Sequence, residues 1–229
     1  GELVAIAPGA RTDREGERRA WWARRGIVFG SGGFSHNRTY AREHLRGALD
    51  GTVAFPENTG DFQRLVSQLG VPLKNMNNAW WNEVAVEEHV ASPKSPSAVW
   101  LPFGDTMIMV NKYGRRVVNE KAIYNERSQV HFAWDPAKRE YANRLLFLLF
   151  HHDVTRSESM GFRWPVPAYR EKSRIVMSAV SWEELTEQIA RRLERLRPAI
   201  GHVELAPNFL EELERTIEGG EFITAEEYA

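Results

Sequence analysis

An apolar run that ends in a cluster of small residues places the strongest constraint on the fold. Residues 27–29 are isoleucine, valine and phenylalanine, and they lead directly into Gly30, Ser31, Gly32 and Gly33. Such a run is typical of a buried strand that ends in a tight turn. Glycines let the backbone approach a bound anion closely, and a helix start that follows supplies N–H donors. Two interpretations stay open: a turn that contacts a phosphate, and an ordinary turn between a strand and a helix.

This pattern is not a complete dinucleotide fingerprint. The fingerprint requires glycine at its first, third and sixth positions, and the sixth position here is Ser35. An acid is also expected about 20 residues further on. Asp50 has that distance, but it is followed by Gly51, and Asp-Gly is a turn signal rather than a strand end.

Composition and charge exclude several classes of site. The 229 residues are 42% hydrophobic and 27% charged, which fits a globular chain of one large or two small domains. Because the chain has no cysteine, it has no disulfide, thiolate nucleophile, cysteine-ligated zinc or iron–sulfur cluster. A net charge of −1 argues against capture of nucleic acid or an anionic membrane. No apolar run reaches the roughly 18 residues of a membrane span, and we expect a cytoplasmic location.

A second polar cluster opens a predicted helix over residues 61–69. The cluster is Asn58, Thr59, Gly60 and Asp61. A helix start offers backbone N–H groups to an anion, and the Asp61 carboxylate can accept hydrogen bonds from a sugar-like hydroxyl. The alternative interpretation is a simple helix cap.

Hydrophobic periodicity and turn signals predict the remaining elements. The predicted β elements are a hairpin of residues 3–7 with residues 18–25, β structure over 83–89, a hairpin of strand 107–111 with residues 116–118, and a strand over 145–150. The predicted helices are one over 37–46, one from a capping box at Ser181 to Pro198, and a last one that follows Pro207 and runs to Glu218. Residues 124–132 are predicted to be a helix or a loop.

Tyr124 is a candidate proton donor or acceptor. It lies four residues after Glu120, so the two side chains share a face if the segment is helical. A phenol that is buried beside charges can take part in proton transfer. The alternative is that Tyr124 is a packing residue.

His151, His152 and Asp153 are candidate metal ligands, and they would suit a metal-dependent hydrolase. Adjacent side chains at a strand end point to opposite faces, however, and no second histidine pair or HExxH spacing supports the site. We therefore predict a polar strand end and no metal site.

Three segments, weak individually, occur in a specific order. They are the apolar run with its glycine turn (25–34), the Asn-Thr-Gly-Asp cluster (58–61), and a strand, turn and Asn-Glu pair (109–120). In this order the chain resembles, over residues 1–215, the FAD-dependent oxidoreductases that include fumarate reductase, succinate dehydrogenase flavoprotein and 3-ketosteroid dehydrogenases.

The resemblance implies an α+β fold with two parts. Residues 1–75 would be the later part of a Rossmann-like FAD-binding domain, and residues 76–229 would be a substrate-binding cap. It implies that the FAD lies against six residues of the glycine turn and the polar cluster: Ser31, Gly32, Gly33, Thr59, Gly60 and Asp61. It also implies that Tyr124 handles the proton, with Glu120 and Arg116 tuning or relaying it.

The chain departs from the family pattern in three ways. The early dinucleotide fingerprint and the closing C-terminal flavin segment are missing, so we expect the chain alone to bind FAD poorly and to be inactive unless a second chain supplies that half. Phe62 replaces the usual small residue after the Thr-Gly-Asp sequence. Tyr124 stands where the fumarate-reducing members place an arginine, which is closer to the ketosteroid dehydrogenases.

The activity implied by the resemblance is dehydrogenation or reduction of a carbon–carbon bond beside an electron-withdrawing group. Hydride would pass to or from FAD while a protein group handles the proton. Apolar surface for a hydrophobic small-molecule substrate could come from four tryptophans, which could equally pack the cap: Trp80, Trp81, Trp100 and Trp134. The alternative function is a flavin-free cap fragment or binding module without catalytic activity of its own.

Overall fold

The structure, a computed structural model, describes residues 3–5, 21–47, 49–92, 94–95, 97–99, 106–156 and 164–219. Its strands are β1 (Leu3–Ala5), β2 (Trp21–Ala23), β3 (Met107–Val110), β4 (Trp134–Asp135), β5 (Glu140–Tyr141) and β6 (Phe147–Phe150). Its α-helices are α1 (Arg38–His44), α2 (Asp61–Gln68), α3 (Val86–Ala91), α4 (Tyr124–Arg127), α5 (Trp182–Ile200) and α6 (Phe209–Glu218), and two 3₁₀ helices cover Ser128–Phe132 and His152–Arg156.

The strands pair as three antiparallel two-stranded sheets. β1 pairs with β2, which confirms the predicted hairpin; the polar stretch between them and Trp100 lie outside the described residues. β4 pairs with β5, and β3 pairs with β6 in a register that places Met107 opposite Phe150 and Val110 opposite Phe147.

The main core lies between the β3–β6 pair and the two long C-terminal helices. Alternate residues of β3 point to one side, where Ile108 and Val110 meet apolar side chains of α5 and α6. Met107 points to the other side and packs with Val154 and Val166. The members of the main cluster are Ile108, Val110, Leu149, Ile189, Leu193, Ile200, Phe209 and Leu213.

The helix α5 begins where its capping box predicts. The Ser181 side chain accepts a hydrogen bond from the Glu184 N–H, which satisfies one of the free amides of the first turn. Pro198 does not end this helix, contrary to the prediction, because α5 continues to Ile200. A proline so near the end removes one helical hydrogen bond, and the burial of Ile200 in the main core offsets that loss.

The predicted helices over 37–46 and 61–69 are confirmed as α1 and α2, and the last predicted helix is confirmed as α6. Asn37 caps α1 by accepting a hydrogen bond from the Tyr40 N–H. The predicted strand over 145–150 is confirmed as β6.

Three predictions of β structure need correction. Residues 27–29 form no strand, and the Val28 side chain is 98% exposed, because no described strand lies beside them to accept their backbone hydrogen bonds. Residues 83–89 are not a strand, since α3 begins at Val86. β3 finds its partner in β6 rather than in residues 116–118, where only an isolated bridge joins Val110 to Arg116.

Among the described residues, no helix combines the length and apolar character needed to cross a membrane.

Candidate functional site

The structure brings the glycine turn and the start of α2 into direct contact. The Gly60 N–H donates to the Gly33 carbonyl at 3.1 Å, and the Asn37 side chain donates to the Thr59 carbonyl at 2.9 Å. The His36 N–H donates to the Asn58 carbonyl at 3.1 Å. Two segments that are about 27 residues apart in the chain, each predicted to contact FAD, therefore lie side by side.

Close backbone approach explains the glycines at the centre of this contact. Gly32 has φ +81°, and a Cβ there would lie 2.4 Å from the Asn58 Oδ1 atom. Gly60 has φ +86°, and a Cβ there would lie 2.9 Å from the ring of Tyr40. Both positions therefore require a residue without a side chain, because the left-handed backbone and the close contact each disfavour a Cβ.

The start of α2 has the properties of an anion-contacting helix end. No side chain caps its first amides, so these amides and the positive end of the helix dipole are available to a ligand. Ser31, Gly32 and Gly33 are exposed beside them. These residues fit the polar part of a dinucleotide cofactor, because small residues and free amides are what a pyrophosphate or ribityl chain requires.

The side chains of Asp61 and Phe62 point into local contacts. Asp61 is exposed and forms an ion pair with Arg64 at 3.2 Å, one turn further along α2. The Phe62 ring packs against Phe29, with 5.2 Å between ring centroids. Phe62 thus covers part of the apolar run that precedes the glycine turn, and a ligand hydroxyl would have to compete with Arg64 for Asp61.

Tyr124 lies at the start of α4 and is held by a neighbouring segment. The Trp80 indole N–H donates to the Tyr124 phenol oxygen, with 2.7 Å between the Nε1 and Oη atoms. The backbone N–H of Trp81 donates to the Asn125 Oδ1 atom at 3.1 Å. Each pair is separated by 44 residues, so the two segments run side by side in one fixed register.

A buried ion pair continues the same register. Arg127 donates to both oxygens of Glu83, at 2.9 and 2.8 Å, again across 44 residues. The Arg127 side chain is 0% exposed, and it also donates to the backbone carbonyls of Glu120 and Val99. No local pattern in the sequence indicates the hydrogen bond of Trp80 or this ion pair, because both contacts join segments that are 44 residues apart.

Glu120 and Arg116 form a second ion pair beneath β3. Glu120 is 3% exposed and accepts hydrogen bonds from the Arg116 guanidinium at 2.6 to 3.1 Å and from the Met109 N–H at 2.7 Å. Glu120 and Tyr124 do not share a helical face, because α4 begins only at Tyr124 and the condition of a helical segment is not met. Glu120 instead anchors the turn that leads into Tyr124, because its carboxylate accepts from the Met109 N–H and its carbonyl accepts from Arg127.

Half-exposed polar contacts tie the stretch after α1 to two later segments. Arg144 donates to both oxygens of Asp50, at 2.8 and 2.9 Å, and this hydrogen bond raises the pKa of the Arg144 guanidinium. Arg46 donates to Gln129 and lies over the Phe132 ring, 5.0 Å from its centroid. The stretch after α1 is thereby tied to the 3₁₀ helix after α4 and to the residues before β6.

The histidine pair lies differently from the prediction. The His151 and His152 rings are 4.4 Å apart rather than on opposite faces, because β6 ends at Phe150 and a 3₁₀ turn follows. Their nitrogens and the Asp153 carboxylate lie within 4.8 Å of one another, and all three residues are exposed. Arg156 lies 3.5 Å from the same carboxylate and would compete with a cation for it.

A large apolar cavity of about 1360 Å³ lies between β6, α5 and residues 165–180. Its lining includes the buried Trp81, which meets Phe132 edge to face, and the Trp182 side chain at the start of α5. Neither Tyr124 nor the glycine turn lines it, as far as the described residues show. The cavity therefore does not identify the place where a substrate would meet Tyr124.

Comparison with known proteins gives a consistent set of matches. The profile of the family described as FAD binding domain matches residues 4–220. The chain is 27% identical over 150 residues to a 4-oxocyclohexanecarboxylate 2-dehydrogenase from Sinomonas cyclohexanicum, covering 64% of this chain and 24% of that protein. It is 32% identical over 120 residues to a 3-oxosteroid 1-dehydrogenase from Mycolicibacterium smegmatis, covering 49% of this chain and 19% of that protein.

A solved structure shares the fold. A 3-ketosteroid delta1-dehydrogenase from Sterolibacterium denitrificans, in complex with 1,4-androstadiene-3,17-dione, superposes with a TM-score of 0.57 at 23% identity. The match covers 90% of this chain and 34% of that chain. The chain thus spans 24% or less of the length of the two curated relatives it matches.

Proposed function

Because the chain belongs to the family of FAD-binding domains, we propose that it is part of a flavin-dependent dehydrogenase acting on a carbon–carbon bond beside a carbonyl group. The observation that carries this proposal is the hydrogen bond between Gly60 and Gly33, which unites the glycine turn with an uncapped helix start. Support comes from the relatives, whose names describe dehydrogenases of oxo compounds. We infer a small-molecule ketone as the substrate class.

We assign cofactor contacts to the two united segments. Ser31, Gly32 and Gly33 would meet the cofactor through their backbone, as would Thr59 and Gly60, while Asp61 would bind a hydroxyl once it leaves Arg64. FAD, when bound, supplies the hydride acceptor. In this assignment residues 1–75 are the later part of the flavin domain and residues 76–229 are the substrate-binding cap.

Tyr124 is the residue we assign to proton transfer. Its side-chain oxygen, in the deprotonated phenolate form, would accept a proton from the substrate carbon next to the carbonyl, while a hydride leaves the neighbouring carbon and a double bond forms between the two carbons. The phenol is half-buried and already accepts a hydrogen bond from Trp80, so its oxygen has a fixed position. Glu120 and Arg116 would act at a distance, because their ion pair anchors the turn that precedes Tyr124.

The exposed apolar run identifies the surface that the rest of a flavin domain would cover. Val28 is almost fully exposed and Phe29 is partly exposed, next to the glycine turn. We propose that the remaining part of the flavin domain, in the same polypeptide or in a second chain, packs on this surface. The alternative function, a flavin-free binding module, would leave these residues in solvent.

An absorbance spectrum with added FAD separates the two functions. A flavin-dependent enzyme binds FAD when the covering half is present, so the spectrum of bound flavin remains after gel filtration removes free FAD, whereas a flavin-free module is colourless after the same step. In the flavin-loaded protein, Tyr124→Phe should lower kcat at least about 100-fold. Tyr169→Phe, at an exposed tyrosine, is the matched control and should leave kcat unchanged. An unchanged rate in Tyr124→Phe would remove Tyr124 from the mechanism.

A further inference from the structure

We propose that Trp80 is a positioning residue that holds the phenol oxygen of Tyr124, and that the Glu83–Arg127 ion pair fixes the segment that carries Trp80. This inference rests on the proposed function, in which Tyr124 moves the proton. Trp80 touches Tyr124 rather than the substrate, so it acts through the tyrosine.

The exposure of Trp80 is the first observation. Its side chain is 76% exposed, although a large aromatic side chain normally gains stability by burial. Trp80 nevertheless has a defined place, because its indole N–H donates to Tyr124 at 2.7 Å and the two rings lie 6.0 Å apart. Burial therefore does not explain its position, and the contact with Tyr124 does.

The neighbouring tryptophan shows the opposite arrangement. Trp81 is buried against Phe132, with 4.7 Å between ring centroids, and its indole nitrogen has no hydrogen-bond partner among the described residues. One tryptophan of the pair thus anchors the segment by burial, and the other directs its N–H at the phenol.

Three contacts in one register hold the donor in place. Each of these hydrogen bonds spans 44 residues. The Trp80 indole N–H donates to Tyr124, the Trp81 backbone N–H donates to Asn125, and the Arg127 guanidinium donates to Glu83. The last of these is a buried, two-oxygen ion pair, which fixes direction as well as distance. The segment 80–83 cannot slide along α4 without breaking it.

The geometry has a chemical consequence for proton transfer. A hydrogen bond to an oxygen grows stronger when that oxygen gains negative charge. The Trp80 N–H is directed at the Tyr124 oxygen before any proton moves, so the phenolate that accepts the substrate's proton is met by a donor that needs no reorganisation. The contact fixes the accepting oxygen without touching the substrate, so its loss is expected to slow the chemical step rather than to weaken substrate binding.

Nuclear magnetic resonance of the indole N–H groups tests the contact without flavin or substrate. The 229-residue chain has eight tryptophans, and the Trp80 signal is identified by its loss in Trp80→Phe. Tyr124→Phe should move this signal further than any other indole signal. Tyr141→Phe is the matched control, since Tyr141 lies against the half-exposed Trp134 in a ring contact of 5.0 Å, and it should leave the Trp80 signal in place.

The same spectrum tests the ion pair. Glu83→Gln should move the Trp80 signal while Tyr124 is intact, because the segment loses its anchor. If neither Tyr124→Phe nor Glu83→Gln moves the Trp80 signal, the proposal is overturned. Trp80→Phe should fold, since the side chain is largely exposed, and far-ultraviolet circular dichroism checks this.

Kinetics of the flavin-loaded protein test the consequence. Trp80→Phe should lower kcat about 3- to 10-fold, the value of one ordinary hydrogen bond, with KM unchanged. Trp164→Phe, at a half-buried tryptophan to which we assign no contact with substrate or cofactor, should leave both constants unchanged. A loss confined to KM would overturn the positioning role and indicate substrate contact.

The two proposals fail in different ways. If Tyr124→Phe retains full activity while the Trp80 signal still moves, the proposed function fails and the contact stands as a structural one. If Tyr124→Phe is inactive while the Trp80 signal does not move, the positioning role fails and the proposed function stands.

Discussion

Arg127→Met removes a guanidinium that is fully buried and bonded on several sides. In the folded chain it donates to both oxygens of Glu83, at 2.9 and 2.8 Å, and to the Glu120 carbonyl at 3.2 Å. Methionine fills much of the same volume but donates nothing, so the Glu83 carboxylate is left buried and without its partner. Removing one member of a buried ion pair costs about 3 to 5 kcal/mol. For a chain of this size that corresponds to a fall in Tm of about 6 to 20 °C.

Urea unfolding followed by circular dichroism measures this loss as a change in midpoint at constant slope. The double variant Arg127→Met with Glu83→Leu should recover most of it, since both charges are then gone and apolar groups replace them. Arg191→Met is the control, because Arg191 pairs with Glu187 on the surface, where the two side chains are 66% and 70% exposed and the pair contributes about 0 to 1 kcal/mol. A loss for Arg127→Met as small as that of Arg191→Met would refute the argument that burial makes this pair strong.

Three further predictions concern the backbone, a helix cap and pH. Gly60→Ala should lower the free energy of unfolding by about 2 to 4 kcal/mol, because φ is +86° and an aromatic ring lies 2.9 Å from the new Cβ. The control Gly70→Ala, with φ +69° and open space around the new Cβ, should lower it by about 1 to 2 kcal/mol in the same urea assay. Equal losses for the two variants would contradict the steric argument. Ser181→Ala should cost about 1 kcal/mol in a thermal melt and Ser181→Asp should restore it, whereas an unchanged Tm in Ser181→Ala would show that the cap is not needed. The hydrogen bond from Arg115 lowers the pKa of Glu212 in the folded chain, so its stabilisation is present above the unfolded value of about 4.3 and is lost as the pH falls through the lower folded value. Thermal melts across this range should show a smaller acid-induced loss for Glu212→Gln than for the wild type, and identical losses would exclude the pair as a cause.

Local signals in the sequence predicted the elements that are held together locally. The Ser181 and Asn37 side chains each cap an amide three residues further on, so their effect is visible in a short window. The C-terminal ends of α2 and α6, each followed within two residues by a glycine, lie within one residue of their predicted positions.

Strand predictions failed where a strand depends on a distant partner. Residues 27–29 are apolar enough for a strand, yet strand structure requires a neighbouring strand, and none of the described ones lies beside them. β3 was predicted correctly but with the wrong partner. A four-residue turn after Val110 favours a hairpin locally, whereas the apolar β6 offers a longer buried register.

The same distinction between local signals and distant contacts applies to the candidate site. The glycine turn and the polar cluster were found from residue type and spacing, and their mutual contact through Gly33 and Gly60 bears out only their proximity. Trp80, Glu83 and Arg127 could not be found this way, because each acts on a residue 44 positions away. A charged residue within an otherwise apolar neighbourhood becomes informative only when its partner is known.

Two ion pairs near the candidate site differ in how firmly they are held. The Asp50–Arg144 pair, which ties the stretch after α1 to the residues before β6, is about 40% exposed, judged from side-chain exposures of 44% and 36%, so it contributes about 0.2 to 1 kcal/mol and weakens with salt. The Glu83–Arg127 pair is buried, and removal of one partner costs several times more. Because this buried pair fixes the segment that carries Trp80, raised ionic strength should weaken the Asp50–Arg144 pair before it disturbs the hydrogen bond between Trp80 and Tyr124. The position of the phenol is therefore set by the contacts of residues 80–83 with residues 124–127.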